Sequence, residues 1–431
     1  MTKFGIKLFV ITLLSASCLY LIWDKTNYHE TSLADKPVKV SKNTELSSMM
    51  TIKTSQVKAK AKKKTDKLEM LAKSLMKKNH LAGSIAIVRG GKLKTVSYGQ
   101  ALTGVKNGDQ RVVYPVASLT KQITGAIVIA IMSKNKTFNQ DTKISRWYPN
   151  LVGADKITVG NLLTHTSGLQ IPEIEDDRGA NYTEMGAVNW TVNRLNQVEQ
   201  NSVGVYGYSD VNYILLAGII NKVTGKSYQA NFERLIVKRL GLHHTFLFGQ
   251  VPKGYRVAES YSGQNQTSLT KTRMSQLVGA AQVVTTPSDY YKFVSSLGTK
   301  LLTPSDYYLM THLKSKKTQY SSGFYIKKNG RVKLAYGAIG GMHYGSYYQL
   351  TSNNKNGIVM FVNRRSINRN QLKAVGYQIL KRISSKAFSK IWLMNNNICV
   401  IIVFGQISDC LGDSGELMEK RAAAKGKTTA D

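Results

Sequence analysis

The spacing of apolar residues between positions 67 and 388 predicts both strands and buried helices. Around Gly90-Gly91, the segment GSIAIVRGGKLKTVSYGQA alternates apolar and polar residues on both sides, which predicts a β-hairpin. Continuous apolar segments, by contrast, are typical of helices that bury most of their surface. One long apolar helix is predicted at 121–132, and further helical stretches are predicted near 211–224 and 287–297.

The carboxyl side of the same region returns to strand patterns. One hairpin is predicted to turn at Asn329-Gly330 and the next around Asn356-Gly357, and a final helix is expected over 370–384. Strands at both ends with helices between them predict an α+β fold. In this fold the amino- and carboxyl-terminal strands complete one antiparallel sheet flanked by helices.

Both ends of the chain differ from this central region in composition. Two lysines precede an uncharged stretch (LFVITLLSASCLYLIW) with no small-residue cleavage site after it, so residues 1–23 are predicted to be an uncleaved signal-anchor. Residues 24–66 are rich in Lys, Ser and Thr and are predicted to be a flexible basic linker. Residues 67–388 then form the folded domain, and residues 389–431 are a carboxyl-terminal extension that we expect to be disordered.

Charge narrows the class of partner. The chain carries 60 Lys and Arg against 25 Asp and Glu, a formal net charge of +35, and residues 68–390 alone carry +28 when counted on the sequence. Such a field concentrates polyanions, whether nucleic acid, anionic lipid or cell-wall phosphate polymers. No DNA- or RNA-binding motif accompanies the charge, so we expect no nucleic acid partner. The three cysteines (Cys18, Cys399 and Cys410) lie outside 68–390, which argues against a disulfide-stapled scaffold.

One Ser-x-x-Lys pair stands in a context that suits catalysis. The spacing places a hydroxyl and an amine on one helix face, so the lysine can serve as base for a serine nucleophile. The pattern begins at Ser55, Ser74, Ser118, Ser133, Ser268 and Ser352. Only Ser118 precedes a buried apolar helix, whose amino-terminal N–H groups would face an oxyanion and whose surroundings would lower the pKa of Lys121. We therefore expect Ser118 to be the nucleophile and Lys121 its base.

Further segments accompany that pair in a consistent order over about residues 75–385. They read ASLTKQITG, FNQDTKISRWYPN, ITVGNLLTHTSGL, YSDVNYILLAGIINKVTGKSY and GAAQVVTTPSDYYKF. Together they resemble the superfamily of penicillin-binding proteins, class C-type β-lactamases and related esterases, for which Ser-x-x-Lys is a defining box. The resemblance implies a β-lactamase/transpeptidase-like fold with an all-helical lobe beside the sheet, and says less about the substrate.

The second box of that family is Tyr-x-Asn, and Tyr208-Ser209-Asp210 occupies the corresponding place. The resemblance implies a catalytic role for Tyr208, because a phenol near Ser118 and Lys121 can relay a proton to the leaving group. Asp210 departs from the pattern, since an ionised carboxylate only accepts hydrogen bonds whereas Asn also donates them. We expect Asp210 to disfavour anionic substrates and to favour a substrate ammonium.

The third box of the family is Lys-Thr-Gly or His-x-Gly on an edge strand. Two alignments are open: Gly340-Gly341, with Ile339 in the cationic position, or the literal His-x-Gly at 343–345, which is out of register with the following strand. The first is preferred, and it implies that Gly340, Gly341 and Met342 bind substrate, with the Met342 N–H in the oxyanion hole. Loss of the cation counts against β-lactamase or carboxypeptidase activity, because those substrates carry a carboxylate.

His165, in the segment HTSG, is interpreted as a structural residue, since a lone histidine more often satisfies buried backbone than it catalyses. No cluster of His, Cys, Asp and Glu has the spacing of a metal site. Neither a metal nor a cofactor is expected.

These motifs, together with the predicted anchor and the basic charge, most resemble D-alanyl esterases that remove D-alanine from teichoic acids. The resemblance implies a membrane-anchored extracellular serine hydrolase of a Gram-positive-type envelope, acting through an acyl-enzyme on D-alanyl groups. Its partners would be an anionic wall polymer or a peptidoglycan stem, and the membrane through the N-terminal helix. A penicillin-binding protein, D,D-carboxypeptidase or β-lactamase-like enzyme, and a catalytically idle wall-binding scaffold, remain alternatives.

Overall fold

A computed structural model of the chain describes residues 66–172, 179–313, 320–326, 332–365 and 370–392. The predicted signal-anchor, nearly all of the predicted linker and most of the carboxyl-terminal extension lie outside these residues. Within them, no helix combines the length and the apolar character that a bilayer crossing requires.

Ten α-helices are present in the described residues. They are α1 (Lys67–Lys78), α2 (Thr120–Met132), α3 (Val159–Thr164), α4 (Glu184–Leu195), α5 (Val211–Thr224), α6 (Tyr228–Phe232), α7 (Lys271–Ser275), α8 (Pro287–Ser296), α9 (Pro304–Thr311) and α10 (Asn370–Trp392). A π-helical turn (Glu233–Lys238) follows α6. The three helical stretches predicted from the sequence form α2, α5 and α8, and the final helix extends beyond its predicted end.

Fifteen strands are described. They are β1 (Ala82–Arg89), β2 (Lys92–Tyr98), β3 (Gln100–Leu102), β4 (Val105–Lys106), β5 (Val112–Pro115), β6 (Phe246–Leu247), β7 (Arg256–Val257), β8 (Ser260–Ser262), β9 (Asn265–Thr267), β10 (Val283–Thr285), β11 (Tyr320–Ser321), β12 (Phe324–Ile326), β13 (Val332–Gly337), β14 (Gly345–Thr351) and β15 (Asn356–Arg364).

The main sheet joins the two ends of the domain, as the sequence predicts. Its strand order is β11-β12-β13-β14-β15-β1-β2 with antiparallel neighbours, so β1, near the start of the domain, lies beside β15, near its end. Ile87 of β1 faces Ile358 of β15 across this pairing. A smaller sheet, β6-β10-β5-β7, carries β5 toward the start of α2. The helices α2 to α6 lie consecutively between β5 and β6 and form the helical lobe. The α+β prediction is confirmed.

The predicted turns have three different outcomes. The hairpin at Gly90-Gly91 is confirmed, with both glycines in the left-handed region. The turn predicted at Asn329-Gly330 lies outside the described residues. The turn predicted around Asn356-Gly357 is wrong, because β15 begins at Asn356 and the turn occupies 352–355. Gly357 is required for another reason: a Cβ there would lie 2.3 Å from the carbonyl oxygen of a residue on β14.

Two apolar layers cover opposite faces of the main sheet. Alternate residues of β1 face opposite ways: Ile85 and Ile87 pack with α1 and α10, whereas Ala86 and Val88 join the larger core with α2, α5 and α8. The larger core buries α2 almost completely, from Thr120 to Ile131. The residues that begin α2 are therefore held in a rigid position.

Candidate active site

Ser118 lies in a 3-10 turn (Ala117–Leu119) between β5 and α2. Ala117, directly before it, has a φ of +49°, which is strained for a residue with a Cβ. Backbone hydrogen bonding ties this turn to β10: the Val116 N–H donates to the Val283 carbonyl (3.0 Å), and the Val283 N–H donates to Thr120 Oγ1 (3.1 Å). A helix amino terminus has N–H groups without intrahelical acceptors, so the turn places a hydroxyl beside such donors.

Lys121 points from the first turn of α2 back to Ser118. Its Nζ lies 3.2 Å from Ser118 Oγ and 3.2 Å from the Ala280 carbonyl oxygen, and it forms an ion pair with Asp210. The Lys121 side chain is fully buried and Asp210 is 5 % exposed. Each of the three N–H bonds of an ammonium therefore has an acceptor.

Lys121 is protonated in this arrangement. Burial acts to lower the pKa of its ammonium, but the charge of Asp210, followed by Tyr208, acts the other way and leaves that pKa above its usual 10.5. The prediction that burial would lower the pKa of Lys121 is therefore wrong for this state. It considered the apolar helix alone, whereas the buried carboxylate of Asp210 outweighs desolvation.

Tyr208 completes the contacts of Ser118. Its hydroxyl donates to Ser118 Oγ at 2.8 Å, although 40 % of the residue is exposed. Desolvation of the phenol raises the pKa of Tyr208 above 10, and the nearby Lys121 opposes that increase. The structure therefore brings the Ser-x-x-Lys pair, Ser118 and Lys121, into contact with two residues of the second box, Tyr208 and Asp210.

His165 holds the second box in place. It ends α3 in a left-handed conformation, and its carbonyl accepts a hydrogen bond from the Gly207 N–H (2.9 Å). Its Nδ1 accepts from the Ser209 N–H (3.4 Å) and the Asn212 side chain (3.1 Å). Burial, and then the charge of Lys121, hold the pKa of His165 well below 6.5, so the imidazole is neutral. These contacts fit the structural role predicted for this histidine.

Asp210 directly precedes α5, and its side chain turns toward Lys121 instead of capping the helix. The expectation that Asp210 is free to accept a substrate ammonium needs correction, because Lys121 already occupies that carboxylate. A substrate ammonium would have to compete with a buried lysine for it.

The residues preferred for the third box lie in the 338–344 loop between β13 and β14. The Met342 N–H donates to the Ile339 carbonyl (3.2 Å), so this group closes a turn and is not available as an oxyanion donor in this arrangement. The Gly340 carbonyl accepts a hydrogen bond from Arg273 (2.8 Å), and Gly341 has a φ of +67°. The predicted oxyanion role of Met342 is therefore not supported by this geometry.

Gly337, at the end of β13, is the residue that approaches the nucleophile. A Cβ on Gly337 would lie 3.0 Å from Ser118 N and 2.7 Å from the Val116 carbonyl oxygen, so only glycine fits. The rival alignment at 343–345 is not supported either, since His343 Nδ1 contacts the Arg365 carbonyl oxygen (2.7 Å). The sequence alignment of the third box placed it at Gly340-Gly341 and missed Gly337. The 338–344 loop between β13 and β14 is longer than that alignment assumed.

The other Ser-x-x-Lys pairs lack this environment. The pair at Ser55 lies outside the described residues, and the lysines of the remaining four pairs are exposed. The second SLTK tetrapeptide illustrates the difference: Ser268 donates to Glu259 (2.8 Å), and Lys271 is in solvent.

A set of tyrosines beside the site was not anticipated. We call it the tyrosine wall: Tyr206, Tyr213, Tyr320, Tyr325 and Tyr336. Tyr325 and Tyr336 stack with ring centroids 4.8 Å apart, and the Tyr320 ring lies 6.1 Å from that of Tyr208. Tyr206 is 39 % exposed. The chain has 23 tyrosines, and the local sequence does not show which of them meet in the folded structure. The tyrosine wall could therefore not be predicted.

No group of three or more His, Cys, Asp or Glu side chains is placed to hold a metal ion in the described ranges. The chemistry that this site offers from its own residues is acyl transfer to a serine.

Comparison with known proteins identifies the family. The Beta-lactamase family model matches residues 68–379, which is well over half of the chain. A teichoic acid D-alanine hydrolase of Staphylococcus aureus is 26 % identical over 310 residues, covering 70 % of this chain and 75 % of that protein.

Solved structures agree with this fold. The crystal structure of FmtA from Staphylococcus aureus matches with a TM-score of 0.62 and 25 % identity, over 73 % of this chain and 89 % of FmtA. Two further structures share the fold. A D-amino acid amidase from Ochrobactrum anthropi matches with a TM-score of 0.61 and 19 % identity, over 75 % of this chain and 99 % of the amidase. A class C β-lactamase matches with a TM-score of 0.59 and 22 % identity, over 73 % of this chain and 96 % of the β-lactamase. This chain belongs to the β-lactamase family and is a serine hydrolase.

Proposed function

We propose that this protein hydrolyses D-alanyl esters of teichoic acid, with Ser118 as nucleophile. The observation that carries the proposal is the uncharged strand end beside Ser118: Ala335, Tyr336 and Ala338 flank Gly337 where the family carries a cation. A substrate carboxylate at the end of β13 would therefore lack the cation that binds it in the family's third box. The Staphylococcus relative named for D-alanine release from teichoic acid supports the same substrate class.

The reaction is two acyl transfers. Ser118 Oγ attacks the ester carbonyl, and its proton passes to the Tyr208–Lys121 pair, which must first have lost one proton. The carbonyl oxygen becomes an oxyanion, for which we propose the N–H groups of Ser118 and Ala338 as donors. As the tetrahedral intermediate collapses, the carbon–oxygen bond to the polymer breaks and the pair returns the proton to the alkoxide. Water then repeats the sequence on the D-alanyl-enzyme and releases D-alanine.

We propose that Tyr206, the exposed member of the tyrosine wall, offers the D-alanyl ammonium an aromatic face. Because Asp210 is occupied by Lys121, the ammonium needs another partner. Ammonium groups are attracted to aromatic faces within about 6 Å of the ring centroid. Lys121 Nζ itself lies 5.7 Å from the centroid of the Tyr213 ring, so one ring of this wall already faces a cation.

The decisive experiment measures D-alanine released from D-alanylated lipoteichoic acid by the purified protein. We expect release, and a loss of about 10³-fold or more in Ser118→Ala. Ser268→Ala is the matched control, because it alters the serine of the second SLTK tetrapeptide, which is exposed and donates to Glu259, and it should retain activity.

The alternatives give different results. No release, together with covalent labelling by a fluorescent penicillin, would favour a penicillin-binding protein or D,D-carboxypeptidase. Failure of both, and of a serine-reactive phosphonate, would favour an idle wall-binding scaffold.

We also propose that residues 1–23 anchor the protein in the membrane with residues 67–388 outside the cell. The uncharged stretch and its flanking lysines in the sequence support this. In intact Gram-positive cells, added protease should degrade the membrane-bound protein, whereas a variant that begins at residue 24 should remain in the cytosol. Recovery of the full chain in the soluble fraction would contradict the proposal.

A further inference from the structure

Arg273, on the short helix α7, lies against the loop that borders the site. Its Nη2 donates to the Gly340 carbonyl oxygen (2.8 Å). Its neighbour Met274 belongs to one apolar cluster with Ala117, Ile339 and Met342. Since Ala117 directly precedes Ser118, Arg273 is positioned on the border of the catalytic turn.

Among the described residues, no acidic side chain neutralises the guanidinium of Arg273. No carboxylate lies within 4 Å of it in the described part of the chain, and its Nε is buried without a hydrogen-bond partner. A buried donor without a partner is costly, and native proteins contain few of them. A cation with unused donors at the loop that borders the site is therefore poised for an anion.

We propose that Arg273 is a specificity-determining residue that binds a phosphate of the substrate polymer. This inference rests on the proposed function. In a polyol phosphate, the phosphodiester lies only a few bonds from the D-alanyl ester. A planar guanidinium with several N–H donors is well suited to phosphate oxygens. The cation that binds the substrate anion would thus be Arg273 on α7, whereas in the family's third box it lies on the edge strand.

A contact between Arg273 and phosphate would make the enzyme favour the phosphate-bearing polymer over small esters. An ester that lacks the phosphate gains nothing from Arg273, whereas a phosphate-bearing ester gains a charge-assisted hydrogen bond. With Nη2 on the Gly340 carbonyl and Nε buried, Nη1 is the guanidinium nitrogen left for the ligand.

The test compares D-alanyl-glycerol with D-alanylated glycerol phosphate oligomers as substrates. We expect Arg273→Gln to lower kcat/KM for the oligomer by about 10- to 100-fold, mainly through KM, and to affect D-alanyl-glycerol far less. Arg273→Lys should recover part of the loss, because it keeps the charge without the planar donors. Raising NaCl should increase KM of the wild type for the oligomer more than KM of Arg273→Gln.

Lys271→Gln is the matched control. Lys271 lies two residues away, is exposed, and its loss removes the same charge from the overall field. It should change kcat/KM for the oligomer by less than about 3-fold, as expected for a screened surface charge. Equal losses in Lys271→Gln and Arg273→Gln would show that only the overall charge matters and would overturn the proposal.

A second measurement separates this proposal from the proposed function. Binding of unesterified glycerol phosphate oligomer to Ser118→Ala should weaken when Arg273→Gln is added, whatever the enzyme hydrolyses. If wild type releases no D-alanine but this binding difference remains, the proposed function fails and the phosphate site stands. Equal losses on both esters with unchanged binding would instead assign Arg273 to loop positioning and refute the phosphate site.

Discussion

At the scale of single residues, the state of Ser118 depends on which neighbour holds a proton. Lys121 is buried, and burial of a lone lysine favours the neutral amine that a general base requires. Asp210 reverses that preference by pairing with it. The resting site is then a protonated lysine, a carboxylate and a neutral tyrosine, so activity requires loss of one more proton.

Asp210→Asn is predicted to shift activity to lower pH. Removing the carboxylate charge removes the main contribution that raises the pKa of Lys121, so the proton is lost at lower pH. We expect the midpoint of the rising limb of kcat/KM against pH to fall by about 1–3 pH units, measured with D-alanyl-glycerol after subtraction of spontaneous hydrolysis. An unshifted limb, with activity lost uniformly, would mean that Asp210 acts by positioning Lys121. Asp210→Glu, which keeps the charge, is the control and should retain the wild-type midpoint.

Gly337→Ala is predicted to disable the site without unfolding the protein. The added Cβ would meet the Val116 carbonyl oxygen and the Ser118 nitrogen, and it must displace either β13 or the catalytic turn. A displacement of about 1 Å can cost about 10² in rate, so we expect at least that loss in kcat. Gly249→Ala is the control, because nothing lies within 4 Å of its added Cβ. Activity of Gly337→Ala within about 3-fold of wild type would contradict this close approach.

Part of this site could be predicted from the sequence, and the rest could not, for physical reasons that differ from residue to residue. Ser118 could be selected from six similar pairs because its apolar helix is a local pattern. Tyr208 and Asp210 followed from the order of motifs. The protonation of Lys121 could not be predicted, since it depends on the distance to a residue 89 positions away. Gly337 was missed because the length of the 338–344 loop is not encoded by the strand pattern on either side.

At the scale of elements, α2 is joined to the sheet by polar contacts as well as apolar packing. Gln122 is fully buried, and its Nε2 donates to the Gly323 carbonyl (3.0 Å) and to the Tyr348 hydroxyl (2.7 Å). Its Oε1 accepts from the Tyr290 hydroxyl (2.8 Å). One side chain therefore connects α2 to β14, to α8 and to the turn after β11. The apolar pattern predicted that α2 is buried, but not which polar residue within it carries these contacts.

Gln122→Ala is predicted to destabilise the domain by about 2–4 kcal/mol, because it leaves buried hydroxyl and carbonyl groups without partners and opens a cavity. The measurement is urea unfolding at 25 °C, followed by circular dichroism. Lys134→Ala, on an exposed residue just beyond the same helix, should change stability by less than about 0.5 kcal/mol. Equal stability of both variants would show that the buried contacts contribute nothing net.

At the scale of the whole molecule, the 60 basic residues far outnumber the 25 acidic residues, so ion pairs cannot balance most of the positive charge. Within the described residues, ion pairs are formed by Lys73, Lys94 and Lys121. Of these, Lys121 belongs to the site, and the other two pair with Glu69 near the start of α1. The excess of 35 positive charges sustains a field that attracts a polyanion to the molecule, while Arg273 is proposed to act on the bound polymer.

The two ends of the domain share one apolar layer, so we expect them to unfold together. Val375 and Ile379 of α10 pack with Ala72 and Met76 of α1 against β1 and β15, and Ile379 is fully buried. Ile379→Ala should lower the free energy of unfolding by about 2–5 kcal/mol. Because β1 lies between β15 and β2, activity, tryptophan fluorescence and circular dichroism should be lost at one common urea concentration. Lys381→Ala, on an exposed residue of α10, should leave that concentration unchanged. An early separate transition in Ile379→Ala, with activity retained, would show instead that α10 detaches independently and that the sheet closes without it.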